Sequence, residues 1–76
     1  MTKREKNILT QFAKHLAEIM EKKSISQRKL ATLSDVPLSS LNEILNYPTN
    51  FSMRTAIKLA DALDTTVKEL FNFETD

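Results

Sequence analysis

The feature that most constrains this chain is the complete absence of glycine from its 76 residues. Tight β-hairpins, phosphate-cradling loops and dinucleotide-binding turns need backbone positions that glycine fills most easily, so the composition argues against all three. The chain also lacks cysteine, which excludes a disulfide framework and a cysteine-based zinc site. We therefore predict an all-α fold in which residues 1–76 form a single small domain held together by helix packing.

Catalytic chemistry and membrane insertion are both disfavoured. The single histidine, His15, and the scattered carboxylates provide neither a triad nor a nucleophile beside a base, and we expect His15 to be a surface imidazole. We predict no enzyme activity, no metal and no cofactor. No apolar run approaches the roughly 18 residues of a membrane span, and the basic start is not followed by the apolar region of a signal peptide. We expect a cytoplasmic protein without a membrane partner.

Apolar periodicity and capping residues predict five short helices. The expected spans are residues 8–20, 27–33 and 37–46, a fourth helix after Ser52 that ends at Asp64, and a fifth after Thr66. Ser26, Ser52 and Thr66 are the predicted N-caps, and Glu69 completes a capping box with Thr66. Asp35 and Ser40 compete as caps of the third helix. Residues 1–7 and 74–76 lack a pattern, so we expect a basic N-terminal arm and a flexible tail.

The predicted core side chains follow from the same periodicity. In the second helix we expect Leu30, Ala31 and Leu33 to face inward, and in the third Leu41, Ile44 and Leu45. These two short helices, joined by a tight turn, have the arrangement of a helix-turn-helix.

Charge is divided unevenly along the chain. Up to residue 29 there are eight basic and three acidic residues, whereas the remainder has three basic and seven acidic residues. Arg28, Lys29 and Arg54 also lie in the predicted first turns of helices, where a cation opposes the helix dipole by roughly 0.3 to 1 kcal/mol. Both features suit a polyanion whose phosphates dock at helix starts. The alternatives are a second copy of the chain as the partner, or charges scattered on a solvated surface.

Two runs carry a family resemblance. The segments Ser26-Gln27-Arg28-Lys29-Leu30-Ala31 and Val36-Pro37-Leu38-Ser39-Ser40-Leu41-Asn42-Glu43-Ile44-Leu45-Asn46 resemble the helix-turn-helix of lambda-repressor-like DNA-binding proteins, of the Cro/cI or XRE type. Residues 52–63 and 66–71 are similar to the closing helices of that family. The resemblance covers about residues 8–73 and implies double-stranded DNA as the partner.

The resemblance also implies a role for individual positions. Gln27 would contact a phosphate and brace the first residues of the recognition helix. The positions implied as base readers are Leu38, Ser39, Asn42 and Glu43, although Leu38 could instead belong to the core. The positions expected at the DNA backbone are Gln27, Arg28, Lys29, Asn46, Tyr47, Asn50 and Arg54, together with the arm residues Lys3, Arg4 and Lys6.

The chain departs from the family at turn positions where glycine is common. Those positions hold Ser24, Asp35, Tyr47 and Asp64. Aspartate accepts left-handed geometry moderately well. Pro48 pushes the preceding Tyr47 to an extended conformation.

Our leading functional hypothesis is a repressor that binds a palindromic operator as a homodimer, since one unit reads too few base pairs to find a site. Phe71 and Phe73 are the predicted dimer surface, although Phe71 could be core. The alternative is an antitoxin or phage-type regulator on the same fold whose main partner is a protein, such as a toxin. Single-stranded RNA is disfavoured because Phe12, Phe51 and Phe71 are expected to be buried.

Overall fold

The computed structural model describes residues 1–75, and within them five α-helices follow one another without a β-strand. The helices are α1 (Lys3–Lys22), α2 (Gln27–Ser34), α3 (Leu38–Asn46), α4 (Met53–Ala62) and α5 (Val67–Leu70). The predicted all-α fold is confirmed, and α2 and α3 form the predicted helix-turn-helix.

Helix α1 begins at Lys3, so the predicted N-terminal arm is wrong. Thr2 and Glu5 form a capping box: the Glu5 backbone N–H donates to Thr2 Oγ1 at 3.1 Å, and the Thr2 backbone N–H donates to Glu5 Oε1 at 2.6 Å. These bonds satisfy backbone groups that a helix start leaves open, and they extend α1 beyond its apolar stripe. Two hydrogen bonds hold the pKa of Glu5 below its ordinary value. The bond to the Thr2 backbone has the larger effect, and the bond to the Thr2 side chain has the smaller one. At the other end, residues 74 and 75 have no regular structure, and residue 76 of the predicted tail lies outside the described residues.

Three of the predicted N-caps are confirmed. Ser26, Ser52 and Thr66 each accept, through the side-chain oxygen, the backbone N–H three residues ahead at 3.0 to 3.1 Å. Helix α3 differs, because it begins at Leu38 directly after Pro37 and has no side-chain cap. Neither Asp35 nor Ser40 takes that role. Asp35 instead ends α2.

Left-handed backbone occurs at three of the positions where the family often has glycine. Ser24, Asp35 and Asp64 have φ values of 54°, 58° and 54°. The fourth position, Tyr47, is extended with φ −136° and ψ 153°, as expected for a residue before proline. Each left-handed residue follows a helix and turns the chain sharply. This position after a helix is most often occupied by glycine.

The core lies where all five helices meet. Its fully buried large side chains are Phe12, Leu16, Leu30, Leu41, Leu59, Leu63 and Leu70. Helix α3 packs on α1 and α2, α4 packs on α2 and α5, and α5 packs on α1. The prediction for Leu33 is wrong: it is 50% exposed, because α2 turns Leu30 and Ser34 inward and leaves Leu33 on its flank. Leu45 is only partly buried and packs against the edge of the core.

Aromatic rings gather around Phe12 and fasten the C-terminal segment to α1. The Phe12 ring centroid lies 4.7 Å from that of Phe51 and 4.9 Å from that of Phe71. His15 Nε2 is 2.8 Å from the Glu69 carbonyl oxygen, and its ring centroid is 5.6 Å from that of Phe73. His15 is therefore a half-buried link between α1 and α5, and the predicted surface imidazole is wrong.

Phe71, for which we expected either a place in the dimer surface or a place in the core, is partly exposed. Although one side of its ring contacts Phe12, the residue remains 40% exposed. Phe71 therefore does not belong wholly to the core. The argument against RNA binding assumed that Phe71 is buried, and that assumption is wrong. Phe73 is half-buried and packs against the core. An exposed aromatic edge thus lies at the end of α5.

Candidate nucleic-acid interface

Helix α3 presents a polar face to solvent. The exposed residues Ser39, Asn42, Glu43 and Asn46 recur at helical spacing, so their side chains share one face. Leu41 and Ile44 are buried on the opposite face. Leu38, at the first turn, is 36% exposed and does not belong to the core. The four positions predicted to read bases therefore all reach solvent on α3.

Two asparagines on this face bond to each other. Asn46 Nδ2 donates to the Asn42 carbonyl oxygen at 2.8 Å and to Asn42 Oδ1 at 2.6 Å. Both hydrogens of the Asn46 amide are used in these bonds. A phosphate oxygen only accepts hydrogen bonds, so Asn46 has to release one of the two before it can contact the DNA backbone.

The loop after α3 is folded back onto the helix end. The Tyr47 backbone N–H donates to the Glu43 carbonyl oxygen at 2.9 Å, and Thr49 Oγ1 donates to the same oxygen at 3.2 Å. These bonds satisfy a carbonyl that would otherwise be open at the helix C-terminus. Tyr47 is 62% exposed, and Asn50 is exposed as well.

The first turns of α2 and α4 carry cations and lack acids. Arg28 and Lys29 lie in the first turn of α2 and Arg54 in the first turn of α4, all three exposed. No acidic residue lies in the first turn of α2, α3 or α4. Free backbone N–H groups, the helix dipole and a cation thus act together at two of these starts.

Gln27 is the first residue of α2, and the brace to the first residues of α3 that is implied for it stays a prediction. Its half-buried side chain lines a groove together with Ile25, Leu45 and Asn46, at the far end of α3. The phosphate contact implied for Gln27 stays a prediction.

Lys14 was missed by the sequence analysis. It is exposed on α1 and lines a groove of about 230 Å³ with Asn46, Tyr47 and Pro48, so it lies beside the C-terminal end of α3. Its spacing in the sequence could have indicated this position. Lys14 lies between Ala13 and Ala17, which are on the flank of α1 that packs on α3.

Neither a metal-ligand cluster nor a membrane-spanning helix occurs in the part of the chain that the structure describes. Across residues 1–75 no three or more His, Asp or Glu side chains lie close enough to hold a metal ion. Within the same range no helix is both long and apolar enough to cross a membrane.

Comparison with known proteins identifies the family. The helix-turn-helix family model matches residues 16–70. The chain is similar to the restriction-modification controller protein C.AhdI from Aeromonas hydrophila, whose crystal structure superposes with a TM-score of 0.79 at 36% identity, covering 83% of this chain and 96% of the controller chain. Comparison with curated protein sequences gives no significant match. The chain belongs to the helix-turn-helix family, in its lambda-repressor-like (XRE) branch, and is a DNA-binding transcriptional regulator rather than an enzyme.

Proposed function

We propose that this regulator is a repressor that binds a palindromic operator as a homodimer, with α3 in the major groove of each half-site. The supporting observation is the exposed polar face of α3, together with the cations at the starts of α2 and α4. A dimer that covers two half-sites about one helical turn apart excludes other proteins from that DNA, which is the simplest route to repression.

Base reading is assigned to the first turns of α3. Asn42 can pair with adenine, Glu43 can accept from cytosine, Ser39 suits either partner and Leu38 can meet a thymine methyl group. Glu43 would repel a phosphate, so its exposure on the groove-facing side favours a base contact.

Affinity is assigned to the phosphate contacts around α3. Arg28, Lys29 and Arg54 supply the cations, since α3 itself contains no Lys or Arg. Gln27, Asn46 and Asn50 would add polar contacts, and the exposed Tyr47 ring could lie against the sugar-phosphate chain. Binding that depends on so few base contacts and several cations should weaken steeply with salt.

The first experiment is selection from random duplex DNA, followed by a salt titration on the winning site. We expect a palindrome. Arg28→Ala should lower the slope of log K against log salt by about 1, because one phosphate contact is lost. Lys68→Ala is the matched control: it removes the same charge from α5, which packs on α1 and α4 and holds none of the proposed phosphate contacts. Weak, sequence-blind binding would overturn the proposal and favour a protein partner on the same fold.

The dimer surface is tested by sedimentation equilibrium. The exposed edge of Phe71 is the proposed centre of that surface, with Phe73 behind it. Phe71→Gln should weaken self-association at least tenfold. Met53→Gln, at an exposed apolar position on α4, should leave it unchanged. If Met53→Gln weakens association instead, the interface lies at the start of α4 and the assignment to Phe71 is wrong.

A further inference from the structure

The first half of α1 carries a line of lysines that precedes the region matched by the family model. The family match begins at residue 16, whereas α1 begins at Lys3, so about three and a half turns of this helix precede the matched region. In those turns Lys3, Lys6, Thr10 and Lys14 are exposed and succeed one another at intervals of three, four and four residues. Side chains at these intervals line one face of a helix.

This lysine face is on the same flank of α1 as the recognition helix. Thr10 and Lys14 line the groove that also contains Asn46, Tyr47 and Pro48 at the end of α3. The opposite flank of α1 is occupied by the C-terminal segment, because His15 contacts Glu69 and Phe73 there. The three lysines therefore extend the α3 side of the molecule and do not face the proposed dimer surface.

The charge along this face is unopposed between residues 3 and 14. The one acidic residue in that stretch is Glu5, which lies off this line because it follows Lys3 by two residues, and whose carboxylate accepts the Thr2 backbone N–H. The next acid at these intervals, Glu18, is exposed one turn after Lys14. From Lys3 to Lys14 the face is about 16 Å long, the axial length of roughly five base pairs.

We propose that Lys3, Lys6 and Lys14 form a second, sequence-independent contact with duplex DNA, along the phosphates that flank each half-site beyond the end of α3. The proposal rests on the proposed function, since it adds to the same DNA complex. The helix keeps the lysines in register, and the cap at Thr2 keeps the first of them on the helix. A flexible arm would have to be ordered on binding, whereas this face is already formed.

The test measures salt dependence on two duplexes, the selected operator and a random sequence of equal length. Glutamine replaces lysine because its helix propensity is close to that of lysine. Lys14→Gln should lower the salt slope by about 1 on both duplexes, and the triple variant of Lys3, Lys6 and Lys14 by about 2 to 3. The selected sequence should not change. Lys68→Gln, which removes one charge from α5, should leave the slope nearly unchanged.

Each other outcome would overturn the proposal. A triple variant with the salt slope of the wild type, and with its circular dichroism spectrum, shows that the lysines do not contact DNA. An equal effect of Lys68→Gln shows that net charge alone is responsible. If the triple variant loses self-association and keeps its salt slope, the lysines bind the acidic half of a second copy. In all three cases the wild type still selects an operator, so the proposed function stands. A wild type that selects no operator overturns both.

Discussion

Asn46 donates both of its side-chain amide hydrogens to Asn42, one turn earlier on the exposed face of α3. The second of these bonds, 2.6 Å to Asn42 Oδ1, fixes the rotation of the Asn42 amide. Because Oδ1 is held by Asn46, the Nδ2 group of Asn42 points away from that bond and is left to donate. In the proposed complex, an Asn42 amide that is already held by Asn46 has less side-chain freedom to lose on binding.

Asn42→Ala should relax the preference at one base pair of each half-site. A well-formed contact with a base edge is worth about 1 to 3 kcal/mol of discrimination, so single-base operator variants at that position should become equivalent to the original. Competition binding with the single-base variants measures this. The salt slope should stay unchanged, since no phosphate contact is lost. Loss of affinity for every sequence alike would contradict the assignment.

His15→Ala should lower the free energy of unfolding by about 1 kcal/mol. The substitution removes the bond from Nε2 to the Glu69 carbonyl oxygen and the packing of the ring near Phe73. Urea unfolding followed by circular dichroism gives the value. His15→Gln keeps a side-chain N–H donor and should recover part of the loss. An unchanged midpoint for His15→Ala would mean that the link between α1 and α5 contributes nothing.

Ser24→Gly should stabilise the protein by about 0.5 to 1 kcal/mol. Ser24 has a φ of 54°, where a Cβ atom is strained and glycine is not. In a domain of this size the melting temperature should rise by about 4 to 8 °C for each kcal/mol. Ser39→Gly is the matched control, because the same change inside a helix should destabilise by about 0.5 kcal/mol. Equal effects of the two substitutions would refute the strain argument.

The start of α1 should loosen in acid. Hydrogen bonds from Thr2 lower the pKa of Glu5, so the stability they contribute is fully present above the ordinary glutamate pKa. It is lost as the pH falls through the lowered value in the folded protein. A carbon-detected NMR titration of Glu5 measures that pKa. Thr2→Ala should move it back towards the ordinary value, whereas Thr10→Ala, on the same helix, should leave it in place.

Local chemistry in the sequence predicts the caps well and the helix lengths less well. Ser26, Ser52 and Thr66 cap their helices because a short side chain just before a helix places its oxygen within reach of the free backbone N–H three residues ahead. The early start of α1 escaped prediction because the first turns carry no buried residue, and only the Thr2–Glu5 pair signals them. Periodicity locates the buried stripe of a helix and is silent about exposed turns beyond it.

The tertiary links were harder to predict. His15 bonds to a residue 54 positions away, and the local sequence around it indicates only a polar helix surface. Leu33 has the spacing of a core residue but lies on the flank of α2, where the other helices leave it uncovered. The positions of α3 expected at the DNA were named from the family resemblance; all are exposed, and their contacts with DNA stay predictions. The bond between Asn42 and Asn46 depends on rotamers that no spacing rule contains.

Helix α1 is about 30 Å long, and the molecule itself is 31 Å in its longest dimension. The recognition helix is fastened to one flank of this helix and the C-terminal segment to the other. In a dimer joined through Phe71, α1 would be a rigid spacer that fixes the distance between the two copies of α3. A dimer with this fixed spacing cannot adjust to a half-site that is displaced by about 3.4 Å along the DNA and rotated by about 34° around it. One base pair inserted at the centre of the operator should therefore abolish tight binding.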